Sequence, residues 1–419
     1  MVEFYSSKNS HDPSVLVLKK CEYKNDEYKR LDLLRLGQQV MHMQDLFLPK
    51  LRAISRSTMI AALMFTACVL ILYLFQITFS SRDSIFSNWV VPDGVTLHEA
   101  AIQFTSGLLN TDDLQPGWGA FAFYYPSKWV GEVAYFLINL ACLLVVGRRL
   151  GFVSILFFPY FIVAMALPSK DILILFVSLI FMIHLIDGRW FIALLIALLS
   201  YFIRDGSAFV LVSIFLAYQV MRRNIFPPIF MVVIAFVVGA LLFGLLNDFF
   251  GDTFIVARNL SVYEQNSSSL LGYGSWFDYY VRVFGNATNL AFRPSLLDEN
   301  GGISVVAVGY FVSGISMLTS LICSAHTIIY NKSALAVKLA VALLVSLAVI
   351  SLNPFVQGRY LFPYSVIFLG YLIYSGRLKY VLRIYIFTIM ISLIAMMAYS
   401  YSGIPGTAAS SITLFNFFE

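Results

Sequence analysis

Three places in the chain set charged side chains where long apolar runs meet. Lys170 and Asp171 lie in "LPSKDILILF", Arg204 and Asp205 in "YFIRDGSAF", and Arg359 with Tyr360 in "NPFVQGRYLFP". A guanidinium offers its N–H groups as a fork that grips phosphate oxygens in pairs, and a Lys adds a point charge. Basic groups gathered at the ends of apolar runs therefore suit an anionic, phosphate-bearing ligand at a membrane surface. Arg282 and Arg293, in a polar stretch between two runs, supply further cations. Asp93, His98 and Glu132 are the groups placed to take a proton from a hydroxyl. Each site has a competing structural reading. The Lys-Asp and Arg-Asp neighbours can be self-neutralised pairs that cap helices, and Glu132 can be an acid favoured by a helix N-terminus.

The elements that must position these residues are read from composition. The chain has 419 residues, of which 59% are hydrophobic and 12% charged. A soluble domain is about half apolar and about a quarter charged. The apolar residues fall in runs of about 15–25, the length that crosses a bilayer as a helix. The expected fold is an all-α polytopic membrane protein. About eleven segments are expected, over 58–80, 130–147, 151–168, 172–187, 190–203, 206–221, 227–247, 303–328, 334–352, 360–375 and 381–401. A transmembrane barrel would instead show alternating segments of about ten residues. The net charge of +5 is modest, and no basic surface for nucleic acid is evident. Cys21, Cys68, Cys142 and Cys323 are scattered, so no disulfide framework or metal site is suggested.

Charge sets the expected topology. Lys and Arg in short loops mark the cytoplasmic side. With Lys50, Arg52 and Arg56 placed inside, the alternate gaps hold Arg148 and Arg149, Arg189, Arg222 and Arg223, Lys332, and Arg377 with Lys379 and Arg383. All of these then fall inside. The N-terminus is expected to be cytoplasmic and the C-terminus outside, with the first span acting as the signal after a polar start. Lys170–Asp171, Arg204–Asp205 and Arg359 then share the outer face, against the sorting rule, which is a mark of function. Two long outer loops, 81–129 and 248–302, are rich in aromatics of the kind that stack on sugars or lie in the interface. The domain reading is a cytoplasmic tail over 1–57, a transmembrane domain over 58–402 and an outer tail over 403–419.

The first loop reads "PDGVTLHEAAIQFTSGLL". It resembles the start of GT-C-type integral-membrane glycosyltransferases, which carry an acid soon after the first span and then a small-residue helix. The matching acid is Asp93, which the resemblance makes the preferred acid/base; His98 stands where that pattern often has Tyr. The segment "GRYLFP", Gly358–Pro363, resembles the late Arg-Tyr element of GT-C enzymes and of EpsG-like or Wzy-like polysaccharide polymerases. There the Arg, here Arg359, is expected to bind donor phosphates, followed by Arg204 and Lys170. Asp171 and Asp205 are expected to orient neighbouring cations. The resemblance implies glycosyl transfer on the outer face of a bacterial inner membrane from a polyprenyl-diphosphate-linked glycan. Polymerisation of repeat units of O-antigen, capsule or exopolysaccharide is the first reading. A monosaccharide transferase using a polyprenyl-phosphate sugar is the second, and a lipid or glycan transporter the third. The implied partners are a lipid-linked donor and acceptor, membrane lipid and envelope-assembly proteins such as a chain-length regulator. No cofactor and no metal are expected.

Overall fold

A computed structural model describes residues 56–79, 98, 101–103, 106, 118–223, 226–250, 276–292, 296, 304–330, 333–352 and 358–401. The expected N-terminal tail up to residue 55 and the C-terminal tail lie outside these residues, as does most of both expected outer loops. The described chain is helical, with no strand. In chain order the helices are α1 (Arg56–Phe79), α2 (Trp118–Tyr124), α3 (Ser127–Val130), α4 (Val133–Leu150), α5 (Phe152–Leu156), α6 (Tyr160–Val163), α7 (Lys170–Ile186) and α8 (Trp190–Leu199). There follow α9 (Asp205–Arg222), α10 (Pro228–Phe250), α11 (Trp276–Thr288), α12 (Val305–Tyr330), α13 (Ala334–Ile350), α14 (Phe362–Leu372) and α15 (Leu378–Tyr401).

Local chemistry explains the boundaries. Ser169 caps α7 by accepting the Ile172 N–H at 3.4 Å, and Ser333 caps α13 by accepting that of Ala336 at 3.5 Å. Gly376, at φ 81, breaks the helical path between α14 and α15. Only a residue without a Cβ adopts that conformation freely.

By length and apolarity, three described stretches suffice to cross a membrane: Val133–Leu150, Val305–Tyr330 and the kinked Gly358–Met397. Met59–Ile71, Trp190–Phe202, Gly206–Arg222, Pro228–Phe243 and Ala334–Ile350 are apolar helices of 10–17 residues. The protein is thus a helical, membrane-type bundle, but the expectation of about eleven full spans is not met by these helices. Part of the reason is visible in the chain. Residues 151–168, expected as one span, form two short helices, α5 and α6, joined by turns. Gly151 stands at φ 86, and Pro159 and Pro168 remove two N–H donors and clash with a continuing helix.

Irregular backbone is tolerated at membrane depth only where protein surrounds it. Within 151–168 much of the chain meets that condition, while Val153 and Leu156 stand exposed. Ile155, Phe158, Tyr160 and Phe161 are buried. The Tyr160 N–H donates to Ser313 Oγ at 3.1 Å, and the Phe157 carbonyl accepts from the Ser316 hydroxyl. Asn139 Nδ2 donates to the Met165 and Leu167 carbonyls, both at 2.9 Å. At the other end of the segment Leu150 and Ser154 press on Gly370 of α14, where a Cβ would lie 2.8 Å from that of Leu150.

Further small polar groups join α12 to its neighbours. Ser320 donates to Ser365 Oγ at 2.9 Å, and Thr319 Oγ1 to Thr388 Oγ1 at 3.3 Å. Such bonds matter between helices that share a uniformly apolar surface, because burial alone does not select a partner. Phe191, Leu195 and Leu198 on α8 and Met390, Ile394 and Met397 on α15 stand exposed, as side chains facing lipid would.

Candidate functional site

The expected outer cations converge, and the element that organises them is the N-terminal end of α7. The Ser169 cap places Asp171 in the first turn, where it is buried. Arg204 lies in extended backbone (φ −155, ψ 124) immediately before α9. Its Nη1 meets Asp171 Oδ1 at 2.6 Å, and both side chains are nearly buried, at 12% and 5% exposed. The Tyr160 hydroxyl donates a short hydrogen bond to Asp171 Oδ2. The broken segment 151–168 thus has a role at the site, since it delivers a phenol to a buried carboxylate.

Arg359 and Tyr360 arrive on a 3-10 turn, Gly358–Leu361, that leads into α14. The Arg204 guanidinium carbon lies 4.1 Å from the Tyr360 ring centroid and that of Arg359 5.6 Å. Arg359 Nη1 also donates to the Tyr310 hydroxyl at 3.0 Å. Tyr310 stacks on Tyr160, with centroids 4.7 Å apart and planes 26° apart. A single aromatic pair therefore steadies both the carboxylate and the second Arg. The turn is seated tightly, because a Cβ on Gly358 would lie 2.6 Å from the Asn286 carbonyl oxygen of α11.

The electrostatics follow from these positions. Two ionised groups out of water are costly unless they meet each other with good geometry and further hydrogen bonds. Asp171 has the Arg204 ion pair on one oxygen and the Tyr160 hydrogen bond on the other. Its one negative charge stands against the two guanidiniums of Arg204 and Arg359, with Lys170 beside it in sequence. Among the described residues here, Arg204 and Arg359 are both held on the face of the Tyr360 ring.

A second group gathers the described acid/base candidates. His98 Nε2 lies 3.5 Å from Glu132 Oε1, and His98 Nδ1 lies 3.3 Å from the Tyr135 hydroxyl. Tyr135 packs edge-on against both His98 and Tyr124, at 5.6 Å each. The Tyr124 hydroxyl donates to Asn139 Oδ1 at 2.6 Å and accepts the Ser169 N–H at 2.9 Å. A continuous chain of contacts thus runs from His98 to the cap of α7. Glu132 is the N-cap residue of α4, and its side chain is 72% exposed and faces His98.

Other expected residues are placed differently. Arg282 was read as a loop residue able to swing toward the ligand. It belongs to α11 and is buried, its guanidinium 5.1 Å from the Phe243 ring centroid. An amphipathic helix, rather than an open loop, therefore occupies 276–288. Two of the loop aromatics are also structural: Tyr124 and Tyr279 are fully buried, and the Tyr279 hydroxyl donates to the Ala348 carbonyl at 2.9 Å. Asp93 and Arg293 lie outside the described residues, and Asp205 is described only as the first residue of α9. Lys170 opens α7, half-buried. Among the described residues no group of three His, Cys, Asp or Glu side chains could hold a metal.

Sequence reasoning missed Tyr160, Tyr310 and Asn139. Tyr160 and Asn139 had a readable sign: one follows the helix-breaking Pro159, the other is a lone amide in an apolar run. Tyr310 had none. The fold and the site define a class, an all-helical membrane-type protein with a buried, aromatic-flanked Arg-Asp-Arg cluster. No family model matches the chain, and no curated protein or solved structure matches it significantly.

Proposed function

We propose that this protein transfers glycosyl groups from a polyprenyl-diphosphate-linked glycan at the outer face of a bacterial inner membrane, joining lipid-linked repeat units into a polysaccharide. The observation that carries the reading is the convergence of Arg204 and Arg359 on the ring of Tyr360 beside one buried carboxylate. Three apolar helices suffice to cross a bilayer, and the outer side for the cluster is the expectation drawn from loop charge. The resemblance to GT-C enzymes rests on the Asp93 and Gly358–Pro363 segments alone.

In the proposed reaction the bond between the sugar's anomeric carbon and the diphosphate oxygen breaks. An acceptor hydroxyl oxygen bonds to that carbon and gives up its proton. The diphosphate leaves with the electron pair of the broken bond. Arg359, oriented by its hydrogen bond to the Tyr310 hydroxyl, meets the developing charge. Arg204 keeps N–H donors beyond the one facing Asp171, since a guanidinium has five. Asp171 and Tyr160 hold Arg204 in place rather than react. Asp93 is the preferred group to take the hydroxyl proton, and His98, 3.5 Å from Glu132, is the other candidate for that role.

A strain lacking this chain should accumulate complete single repeat units on the polyprenyl carrier, seen by mass spectrometry of lipid-linked glycans. A unit one sugar short would instead establish a monosaccharide transferase, and an unchanged pool would point to transport. Arg359→Ala should lower activity about 10²-fold, the effect of losing one preorganised charge-stabilising donor. Full activity in a folded, inserted Arg359→Ala protein would remove the phosphate argument.

A further inference from the structure

The opposite end of the bundle carries a second cation cluster of different construction. α7 runs from Lys170 to Ile186, about 25 Å at 1.5 Å per residue. At its far end Asp187 lies near Arg149, Arg189 and His184. Next to these, α9 ends with Tyr218 and, one turn later, Arg222. The Arg222 guanidinium carbon sits 4.1 Å from the Trp190 ring centroid, and Lys338 Nζ of α13 sits 4.6 Å from that of Tyr218. Tyr218 and Arg222 lie one helical turn apart on α9, so Lys338, over the Tyr218 ring, comes to the same side of that helix as Arg222. Among the described residues neither Arg222 nor Lys338 forms an ion pair. One helical turn before Arg222, the buried Gln219 Nε2 has no acceptor among the described residues.

Lys338 interrupts an otherwise apolar helix, "ALAVKLAVALLVSLAVI". A cation inside an apolar, membrane-type helix is costly and marks a ligand or pathway by default. The framework beneath is firm: Ala217, Met221, Met231, Val337 and Val341 form a buried cluster joining α9, α10 and α13. Two like charges held on one such framework, over aromatic faces, are complementary to an anion placed between them. Trp190 is a residue type favoured at the membrane–water boundary. From it α8 offers exposed Phe191, Leu195 and Leu198, an apolar strip on which acyl chains can lie.

We propose that this end of the bundle binds the anionic headgroup of a phospholipid of the cytoplasmic leaflet, with its phosphate between Arg222 and Lys338. Arg222 grips phosphate oxygens as a fork and Lys338 adds a point charge from below. The acyl chains follow α8. The site is separate from the Asp171 cluster and does not depend on the reaction proposed there.

The test uses the full chain in nanodiscs of phosphatidylcholine with a small share of phosphatidylglycerol, released and read by native mass spectrometry. The wild type should retain phosphatidylglycerol about tenfold above its share, the effect of one charge-assisted hydrogen bond. Arg222→Ala with Lys338→Ala should bring retention down to the share, while Arg222→Lys with Lys338→Arg keeps it. If the double alanine variant fails to fold, Lys338→Met, an apolar side chain in an apolar helix, should still lower retention severalfold. Equal retention by wild type and charge-removed variants would overturn the proposal. So would inorganic phosphate that binds the wild type and displaces the lipid completely, since the site would then read free phosphate. Retention that persists against excess inorganic phosphate supports the lipid.

Discussion

The two ends of α7 hold comparable charges in opposite ways. At one end Asp171 is buried, with Arg204 on one oxygen and Tyr160 on the other. At the other end Asp187 is half-buried, and Arg189 and Arg222 are exposed. The first arrangement couples the helix to α9 and to the broken segment 151–168, because removing any member leaves a charge or dipole buried without its partner. In the second, Arg189 and Arg222 stand exposed, so neither is locked into a buried pair. A buried cluster specifies which helices meet; an exposed one on aromatic faces is suited to recruiting a ligand from outside.

That contrast can be broken by substitution, and the largest expected effect is at the buried end. Arg204→Ala should destabilise the protein by about 3–5 kcal/mol, because Asp171 stays buried without its countercharge. Thermal unfolding in detergent should show a large loss. Replacing both partners, Asp171→Leu with Arg204→Met, should recover most of the stability. If the single variant unfolds like the wild type, the pair is not the lock described.

Tyr160→Phe sharpens the comparison by removing one hydrogen bond to a charged acceptor. It should cost about 1.5–3 kcal/mol in the same assay. Gly370→Ala probes packing away from charge. Its Cβ would meet that of Leu150 at 2.8 Å, so overpacking of about 1–3 kcal/mol is expected. Arg222→Ala should be the mildest, at about 0.5–1 kcal/mol for an exposed cation over an aromatic ring. If Arg222→Ala destabilised the chain as much as Arg204→Ala, the two ends would not differ in the way described.

Much of the candidate site was legible as a list of residues but not as an arrangement. Lys170, Asp171, Arg204, Arg359 and Tyr360 stood out because charge at the edge of an apolar run is costly. The expected partner of Asp171 was a neighbouring cation, whereas its ion-pair partner is Arg204, 33 residues further on. Arg282 misled because a polar stretch reads as a loop, while an amphipathic helix there depends on what it packs against. Residues 151–168 are apolar enough to read as one span, yet Pro159 and Pro168 keep them from forming a single helix.

What the sequence by itself determined is the solvent and the punctuation: apolar runs that require a membrane-type helical bundle, and Ser, Gly and Pro residues that start, end or break its helices. These are local properties, decided by each residue's own donors, dihedral range and side-chain polarity. The tertiary structure alone decided how the helices turn toward one another. Runs that are apolar all round carry no stripe to set their rotation. Only packing could therefore bring Tyr160 to Asp171, Tyr310 to Arg359 and both Arg residues to Tyr360.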